Sequence, residues 1–298
     1  MTGGDTGDQR RLKSVSRCNP DAARDRQRRG WRRAGDSHIL PALQHCNRID
    51  RRIGDVVYDF GTSGNLRKSD LVIWDRQTES RWQQITGEVI VGELTGMKLT
   101  TIPTPMVSWS DFKESTLDGL LLSRDTGFGR NYNSAPYGGY DDLDNRPFLF
   151  SGQTDSKLPD MERVVGMDWV SSGVAYPISL FESVPIVNDT VGDQDIVIFH
   201  TPDTDSGFNA FNSTEARVIG STAVYDPNLN DQKLTFKIES ENIGDEQTGS
   251  IRNMFREAAT GELEGDRLAA VVHANQKWFA WSAFFPDSEL RTADFFGS

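Results

Sequence analysis

One stretch of the chain collects the side chains that a ligand cleft needs. Between positions 124 and 142 the sequence places guanidinium, carboxylate and phenol groups on six residues: Arg124, Asp125, Tyr137, Tyr140, Asp141 and Asp142. Aromatic faces combined with converging charged groups favour a cleft for a sugar or a peptide. Two structural alternatives stay open: an Arg124–Asp125 ion pair that fixes a loop, and a solvated acidic loop around Asp141 and Asp142.

A second set of side chains is of the kind that binds metal ions. His200, Asp203 and Asp205 supply one imidazole and two carboxylates within a short segment, and both groups are common metal ligands. The structural alternative is that His200 ends a strand and packs against its neighbours. The segment is not an EF-hand loop, because Phe208 and Thr214 stand where that loop requires Gly and Glu.

The sequence lacks the motifs of several common enzyme classes. It contains no phosphate loop, no dinucleotide-binding glycine fingerprint and no G-x-S-x-G elbow. Residues 50–298 contain two histidines, His200 and His273, which are too few to name a Ser-His-Asp set. Enzymatic activity is therefore left undecided, and a metal-assisted hydrolase that uses Asp125 or Asp141 ranks last among the hypotheses.

Charge is distributed unevenly along the 298 residues, whose formal net charge is −12. Residues 1–54 carry 13 basic and 6 acidic side chains, whereas residues 55–298 carry 19 basic and 38 acidic ones. Such an acidic body is halophile-like, since high salt screens its self-repulsion. Nucleic acid is excluded as its partner, because phosphate binding needs clustered Lys and Arg. A transmembrane segment is excluded because no run approaches the roughly 18 apolar residues that span a bilayer.

The basic head, residues 1–49, is interpreted as a segment translated out of frame. Back-translation of residues 25–48, with the reading start moved by one nucleotide, permits the strings IVND, GDEPVIV and TYCPLCNTAIV. The first two match the order and nearly the spacing of residues 186–198, which read IVNDTVGDQDIVI. A disordered tail and a nucleic-acid-binding arm are the alternatives. The head is therefore excluded from the fold prediction.

Short strings recur in the two halves of the chain. Residues 75–80, DRQTES, return as DEQTGS at 245–250, and residues 92–96, GELTG, return as GELEG at 261–265. We interpret these repeats as an internal duplication that produces two similar lobes, the first of them truncated by the frame change. A period above 100 residues is too long for a solenoid.

The fold class predicted from the sequence is mainly β with a few short helices, a β-rich α+β protein. Strands are predicted where short β-branched or aromatic runs are bounded by Gly, Asp, Asn or Pro, at residues 56–60, 71–74, 88–91, 196–199 and 234–238. Short helices are predicted at residues 80–85, 109–115 and 252–259, with Ser108 or Ser110 as an N-cap of the second.

Several strings together resemble the bacterial and archaeal domain-of-unknown-function family 3179 (DUF3179) over about residues 50–287. They are residues 69–84, 122–127, 137–142, 175–177 and 186–189. The family's biochemistry is unassigned, and many members look exported or lipid-anchored. Members commonly carry a CPxC-type motif upstream of the first string, which the alternate frame would supply as CPLC. This chain departs from that pattern, because its two cysteines, Cys18 and Cys46, both lie in the head.

The sequence predicts one organisation and one leading function. The expected organisation is a head (1–49), a first, incomplete lobe (50–130), a connecting loop region (131–163) and a second lobe (164–298). The expected function is a cell-surface or exported module that binds a small molecule or a cell-surface component. The alternative is a thiol- or metal-binding protein of redox type. The chain as given requires no cofactor and contains no targeting segment, whereas a full-length form could hold a metal ion.

Overall fold

The computed structural model of the protein describes residues 35–40, 45–115, 140–147, 149–170, 172–202, 204, 218–240, 242–255 and 257–297. Within these ranges the chain is mainly β with three short α-helices, which confirms the predicted fold class. None of the described helices is both long enough and apolar enough to cross a membrane.

The first β unit, residues 45–102, combines the edge of a three-stranded sheet with a four-stranded meander. The three-stranded antiparallel sheet has the order β1-β2-β9, and its strands are β1 (Gly35–Leu40), β2 (His45–Asp50) and β9 (Thr100–Ile102). A small hairpin follows β2, formed by β3 (Arg52–Ile53) and β4 (Val56–Val57). The meander strands are β5 (Phe60–Arg67), β6 (Asp70–Asp75), β7 (Arg81–Gln83) and β8 (Val89–Val91).

The second β unit, residues 221–270, repeats this order of elements. Its first and last strands, β14 (Ser221–Asp226) and β21 (Ala269–Ala270), belong to a four-stranded sheet of order β12-β13-β14-β21. The other two strands of that sheet, β12 (Ile186–Val191) and β13 (Gln194–Thr201), precede the unit. The hairpin after β14 consists of β15 (Asn228–Leu229) and β16 (Gln232–Lys233). The meander strands are β17 (Phe236–Glu239), β18 (Asn242–Asp245), β19 (Ile251–Arg252) and β20 (Ala258–Thr260).

A further mixed sheet contains the segments that flank the second unit in sequence. Its order is β22-β10-β11-β23, and its strands are β10 (Arg163–Met167), β11 (Val174–Pro177), β22 (Ala274–Lys277) and β23 (Glu289–Leu290). The helices are α1 (Trp109–Ser115), α2 (Trp278–Phe284) and α3 (Ala293–Phe296), with a 3-10 helix at Ile178–Glu182.

In the four-stranded sheet β12-β13-β14-β21, strand β13 is covered on both faces. Successive side chains of a strand point to opposite faces of its sheet. Accordingly, Ile196 and Ile198 pack in a core shared with β10 and β11, whereas Val197 and Phe199 pack in a core shared with the second meander. A strand covered on both faces carries an unbroken apolar run, which explains why residues 196–199 were predicted as a strand.

The two tryptophans of the first meander occupy different environments. Trp82 is fully buried, meets the Phe60 ring edge-on at 5.6 Å, and donates a hydrogen bond from Nε1 to Asp75 Oδ2 at 2.9 Å. Trp74 is half-buried and lies within cation–π distance of the guanidinium groups of Arg76 and Arg81. Trp82 therefore belongs to the hydrophobic core, while Trp74 forms part of an arginine-flanked surface.

Two of the three predicted helices are wrong. Residues 80–85 contain β7, and residues 252–259 contain the end of β19 and the start of β20. In β7, Trp82 pairs directly with Ile73 across the sheet and enters the core, a gain that outweighs weak local helix periodicity. The third helix, α1, forms as predicted, and Ser108 Oγ caps it by accepting a hydrogen bond from Asp111 N at 3.0 Å.

The recurring strings form turns with the same hydrogen bonds. Thr78 N donates to Asp75 Oδ1 at 2.6 Å, and Thr248 N donates to Asp245 Oδ1 at 2.6 Å. Each threonine hydroxyl also bonds the serine hydroxyl two residues later, at 2.7 Å in both turns. Strand β2 pairs with β9 in the same register as β14 pairs with β21. The equivalent partners are Asp50 with Thr100 in the first unit and Asp226 with Ala269 in the second.

Two of the three expected domain limits fall within strands of the fold, and the third, after residue 130, lies outside the described residues. The limit after residue 49 lies inside β2, and the limit after residue 163 lies inside β10. Residues 35–40 and 45–49 of the expected head are part of β1 and β2. Residues 131–139 of the expected connecting region lie outside the described residues.

Candidate functional site

The residues predicted to bind a ligand are only partly within the described chain. Arg124, Asp125 and Tyr137 lie outside it. Tyr140 is buried in a small apolar cluster with Met161 and Phe279. Asp141 is also buried, while Asp142 is exposed.

Asp141 belongs to a buried ion-pair cluster. It receives two hydrogen bonds from Arg163, Nε to Oδ1 at 3.0 Å and Nη2 to Oδ2 at 3.1 Å, and a third from Lys277 Nζ. Arg163 and Lys277 face each other directly on β10 and β22. Two like charges at opposed strand positions are unfavourable, so the carboxylate of Asp141 is what allows both cations to be buried.

The pKa values in this cluster follow from burial and charge. Burial alone would raise the pKa of Asp141, but the charges of Arg163 and Lys277 hold it well below its usual range. Burial, together with the charge of Arg163, lowers the pKa of Lys277 to about 8. The prediction of a solvated acidic loop is therefore wrong for Asp141, although Asp142 and Asp144 are exposed.

The residues predicted to bind a metal are also divided. His200 lies in β13, where its ring stacks on Phe181 with centroids 5.0 Å apart, and burial lowers its pKa to about 4. Asp203 and Asp205 lie outside the described residues. In the described part of the chain, no group of three or more His, Cys, Asp or Glu side chains is placed to hold a metal ion.

An open groove lies where β9 and β21, the last strands of the two units, come close together. This outer groove has a volume of about 420 Å³ and is lined by Thr100 and Thr101 of β9 and by Ala270 of β21. Trp169 also lines it, and its Nε1 donates a hydrogen bond to the Val272 carbonyl at 3.0 Å, which fixes the orientation of the indole. A volume of this size is within the range of small-ligand sites.

The charges of the outer groove compensate each other. Lys98 Nζ lies 3.2 Å from Asp168 Oδ2, and both side chains line the groove. Among its described lining residues these two are the only charged ones. The charges on the described lining of the outer groove therefore sum to zero.

A smaller inner pocket of about 10 Å³ shares three lining residues, Thr101, Asp168 and Val272, with the outer groove. Its walls include His273, Gln276 and the ring of Trp281. Trp281 crosses β10 at Gly166, where a Cβ atom would lie 2.3 Å from the ring, so only glycine allows this packing.

The inner pocket contains polar atoms without partners. Gln276 is 1% exposed, and neither its Oε1 nor its Nε2 has a hydrogen-bond partner within the described chain. His273 is 5% exposed and its Nε2 also has no partner there, while its Nδ1 lies 2.9 Å from the Val271 carbonyl. Burial lowers the pKa of His273. Buried polar groups are normally paired with protein atoms or ordered water, and these three atoms have no protein partner in the described chain.

A buried carboxyl group lies behind one wall of the inner pocket. Ile85 lines the pocket, and its backbone N donates to Asp70 Oδ2 at 2.9 Å. Gln83 Nε2 donates to the same oxygen, while Oδ1 has no hydrogen-bond partner within the described chain. Burial raises the pKa of Asp70 to about 7.

No motif in the sequence predicts this pocket or singles out Gln276, Trp169 or Lys98. The available signal was the polar run Asn275-Gln276-Lys277, which stands between the apolar residues 271–272 and 278–281. Three consecutive polar residues in a buried strand are unusual, and all three are buried here.

The comparisons with known proteins give a family and no characterised relative. No curated protein and no solved structure matches the chain. Residues 46–288 match the family described as "Protein of unknown function (DUF3179)". Since this match spans most of the 298 residues, the chain belongs to the DUF3179 family.

Proposed function

We propose that this protein is a ligand-binding module whose ligand occupies the outer groove. The observation that carries the proposal is an open groove of about 420 Å³ lined by Trp169, beside a polar pocket that shares Thr101, Asp168 and Val272 with it.

Binding is better supported than catalysis at this site. His273 bonds the Val271 carbonyl through Nδ1, and no nucleophile is paired with its Nε2 within the described chain. The carboxylate of Asp168 is engaged by Lys98. A nucleophile with an oriented base, the minimum for covalent catalysis, is not formed by the described residues of the groove.

We further propose that the module acts at the cell surface or outside the cell, and that its two units are copies of one ancestral β unit. The acidic composition of residues 55–298 supports the first proposal. The matched turns at Asp75 and Asp245, and the matched registers of β9 and β21, support the second. In this arrangement the groove lies between equivalent strands of the two copies.

The groove is tested by blocking it. Saturation-transfer NMR and calorimetry on the full chain would use a fixed set of probes: glucose, maltose, cellobiose, glycylglycine, alanylalanine, succinate and glucuronate. We expect saturable binding of at least one probe, weakened at least tenfold by Thr101→Trp, since Thr101 lines both cavities. Thr260→Trp, at an exposed position of β20, is the control. Absence of binding by every probe, or binding that persists in Thr101→Trp, contradicts the proposal.

A second candidate function is a thiol- or metal-binding form produced by the alternate frame. Strand β14 begins with Ser-Thr-Ala-Val, and the alternate frame reads Thr-Ala-Ile-Val over the corresponding start of β2. The same frame would place a CPLC motif just before β2, and paired thiolates bind metal or cycle as a disulfide. Sequencing the gene around the Asp50 codon tests it. An open upstream frame encoding CPLC supports this candidate, and an intact frame for residues 1–49 removes it.

A further inference from the structure

We infer that the open edge of β1 is the binding site for one further β-strand, an extended segment of the type Ile-Val-Asn-Asp. This inference goes beyond the outer groove and rests on the proposed duplication of the β unit. Three observations carry it: the position of β1 at the edge of its sheet, the strand that occupies the equivalent edge in the second half, and an asparagine of that strand whose two hydrogen bonds have no counterpart in the described first unit.

Strand β1 corresponds to strand β13 of the second half. Strands β2 and β14 each contain six residues and end in the aspartate that pairs with the last strand of the unit. Asp36 of β1 lies opposite Ile49, the residue before the first of these aspartates. Val197 of β13 lies opposite Tyr225, the residue before the second. Asp36 therefore stands where Val197 stands in the second half.

The outer edge of β13 is occupied, whereas that of β1 is open. Strand β12 pairs with β13 along six residue pairs, from Ile186 with Phe199 to Val191 with Gln194. In the order β1-β2-β9, β1 has a neighbouring strand on one side only within the described chain. An edge strand presents unpaired backbone N–H and C=O groups, which are the template for strand addition. Because these groups belong to the backbone, the template does not depend on the side chains of β1.

An asparagine of β12 also bonds the backbone of the second meander. Asn188 Nδ2 donates to the Phe236 carbonyl at 2.8 Å, and Phe236 N donates to Asn188 Oδ1 at 2.9 Å. Phe236 is the first residue of β17. Strand β12 is therefore held both by its neighbour in the sheet and by the first strand of the meander.

Phe60 is the counterpart of Phe236 in the first unit. It begins β5 and lies opposite Asp75, as Phe236 begins β17 and lies opposite Asp245. In both units the backbone N of the preceding residue donates to a glutamine Oε1, at 3.0 Å and 2.8 Å. Within the described chain, no side chain bonds the backbone N or the carbonyl oxygen of Phe60. The asparagine is thus the part of this arrangement that the described first unit lacks.

An added strand would also extend the core of the first unit. Ile186, two residues before Asn188, packs in the core that contains Phe236. The core around Phe60 takes all its buried members from residues 49–99. An apolar residue two positions before the asparagine of the added strand would cover this core as Ile186 covers the other.

The segment that fits the site has the sequence of β12. Residues 186–189 read Ile-Val-Asn-Asp, and the alternate frame permits the same four residues upstream of β1. In the frame of this chain, residues 25–30 read Asp-Arg-Gln-Arg-Arg-Gly. They contain neither the asparagine nor an apolar residue, so the strand must be added to the chain as given.

The first test adds the strand to the full chain as a peptide. A fluorescein-labelled peptide with the sequence of residues 184–192, VPIVNDTVG, would be titrated by fluorescence anisotropy. We expect saturable binding, and at least tenfold weaker binding of the matched peptide with Asn188→Ala, which loses both bonds to the phenylalanine backbone. Hydrogen exchange measured by ¹⁵N NMR should show that the peptide protects the Phe60 amide and leaves the Phe236 amide, which is already bonded, unchanged.

The second test places the same strand within the chain. Residues 184–195 would replace residues 23–34, a segment of equal length. Since Ile196 corresponds to Gly35, the grafted turn then has the length of the turn between β12 and β13. We expect the melting temperature to rise by several degrees, and the same graft with Asn188→Ala to lose most of that rise.

The outcomes separate this inference from the proposals beside it. Absence of peptide binding, equal binding of the two peptides, or protection of Phe236 in place of Phe60 overturns the strand site. A graft that leaves the melting temperature unchanged also overturns it. If the strand site fails while the turns at Thr78 and Thr248 contribute equally to stability, the duplication stands without it. Ligand binding that Thr101→Trp abolishes would stand in either case.

Discussion

Gln276 is expected to lower the stability of the fold, since an unpaired buried polar group costs about 1–3 kcal/mol. Its carboxamide is buried without a protein partner in the described chain. We expect Gln276→Met to raise the free energy of unfolding by about 1 kcal/mol, because it removes that cost while nearly conserving volume. Urea denaturation measures the change, with Gln232→Met as the control. A loss of stability would show that protein atoms satisfy the amide in solution.

We expect the buried carboxyl group of Asp70 to make the stability of the fold depend on pH. Burial raises its pKa from 3.8 to about 7, so between these values the native state holds a proton that the unfolded state releases. Its contribution to stability is therefore present at low pH and is lost as pH rises towards 7. The variant Asp70→Asn lacks this loss, and its stability relative to wild type should increase by about 1.4 kcal/mol per pH unit over that window.

The measurement for Asp70 is urea denaturation at several pH values between 4 and 8. The exposed Asp142→Asn variant controls for the removal of one negative charge. A stability difference between Asp70→Asn and wild type that stays constant across this range would contradict burial of the carboxylate.

At the scale of elements, the turns of the two meanders are built by one threonine each. Thr78 bonds Asp75 through both its backbone N and its hydroxyl, and Thr248 does the same with Asp245. We expect Thr78→Val and Thr248→Val each to lower the free energy of unfolding by about 1–2 kcal/mol, since each leaves the aspartate with fewer hydrogen bonds.

Denaturation of both threonine variants, with Thr260→Val as an exposed control, tests the equivalence of the turns. Losses of similar size support two units built on the same turn. A loss of stability at one turn and none at the other would show that turns with the same hydrogen bonds contribute differently to the free energy of unfolding.

The elements that the sequence predicts correctly are those whose pattern is decided locally. Residues 71–74 and 196–199 are β-branched or aromatic runs, and α1 has a serine cap. The helices predicted at 80–85 and 252–259 fail because strand pairing decides those segments. Trp82 enters the core only when β7 pairs with β6, and a single-sequence window does not contain that pairing.

At the scale of the whole molecule, the Asp141 cluster joins segments that are distant in sequence. Asp141 lies 22 residues from Arg163 and 136 residues from Lys277. We expect Asp141→Asn to lower the free energy of unfolding by about 3–5 kcal/mol, because it leaves two buried cations facing each other. Lys277→Met should cost less, since the bidentate Arg163–Asp141 pair remains. Thermal and urea unfolding of both variants measures this order, and the reverse order would contradict it.

The groove could not be predicted from sequence, because its lining residues are also far apart along the chain. Its lining residues come from positions 98–101, 168–169, 194 and 270–272, and the pocket residues His273 and Gln276 come from the approach to α2. None of these segments contains a recognisable motif alone. Their chemistry exists only once the end of β10 and the edge strands β9 and β21 are brought together. By contrast, the predicted cluster at 137–142 was visible because its residues are contiguous.

Net charge acts on the whole molecule at once. With a formal charge of −12, the folded chain repels itself, and raising NaCl from 0.1 M to 1 M shortens the screening length from about 10 Å to about 3 Å. We expect the melting temperature at pH 7.5 to rise by several degrees over this range, because compaction of like charge becomes less costly. Near pH 5, close to the sequence pI of about 4.8, the same salt step should have a much smaller effect. Scanning calorimetry at both pH values measures the change in melting temperature with salt. An equal change at pH 7.5 and at pH 5 would mean that salting-out, and not the screening of charge, stabilises the protein.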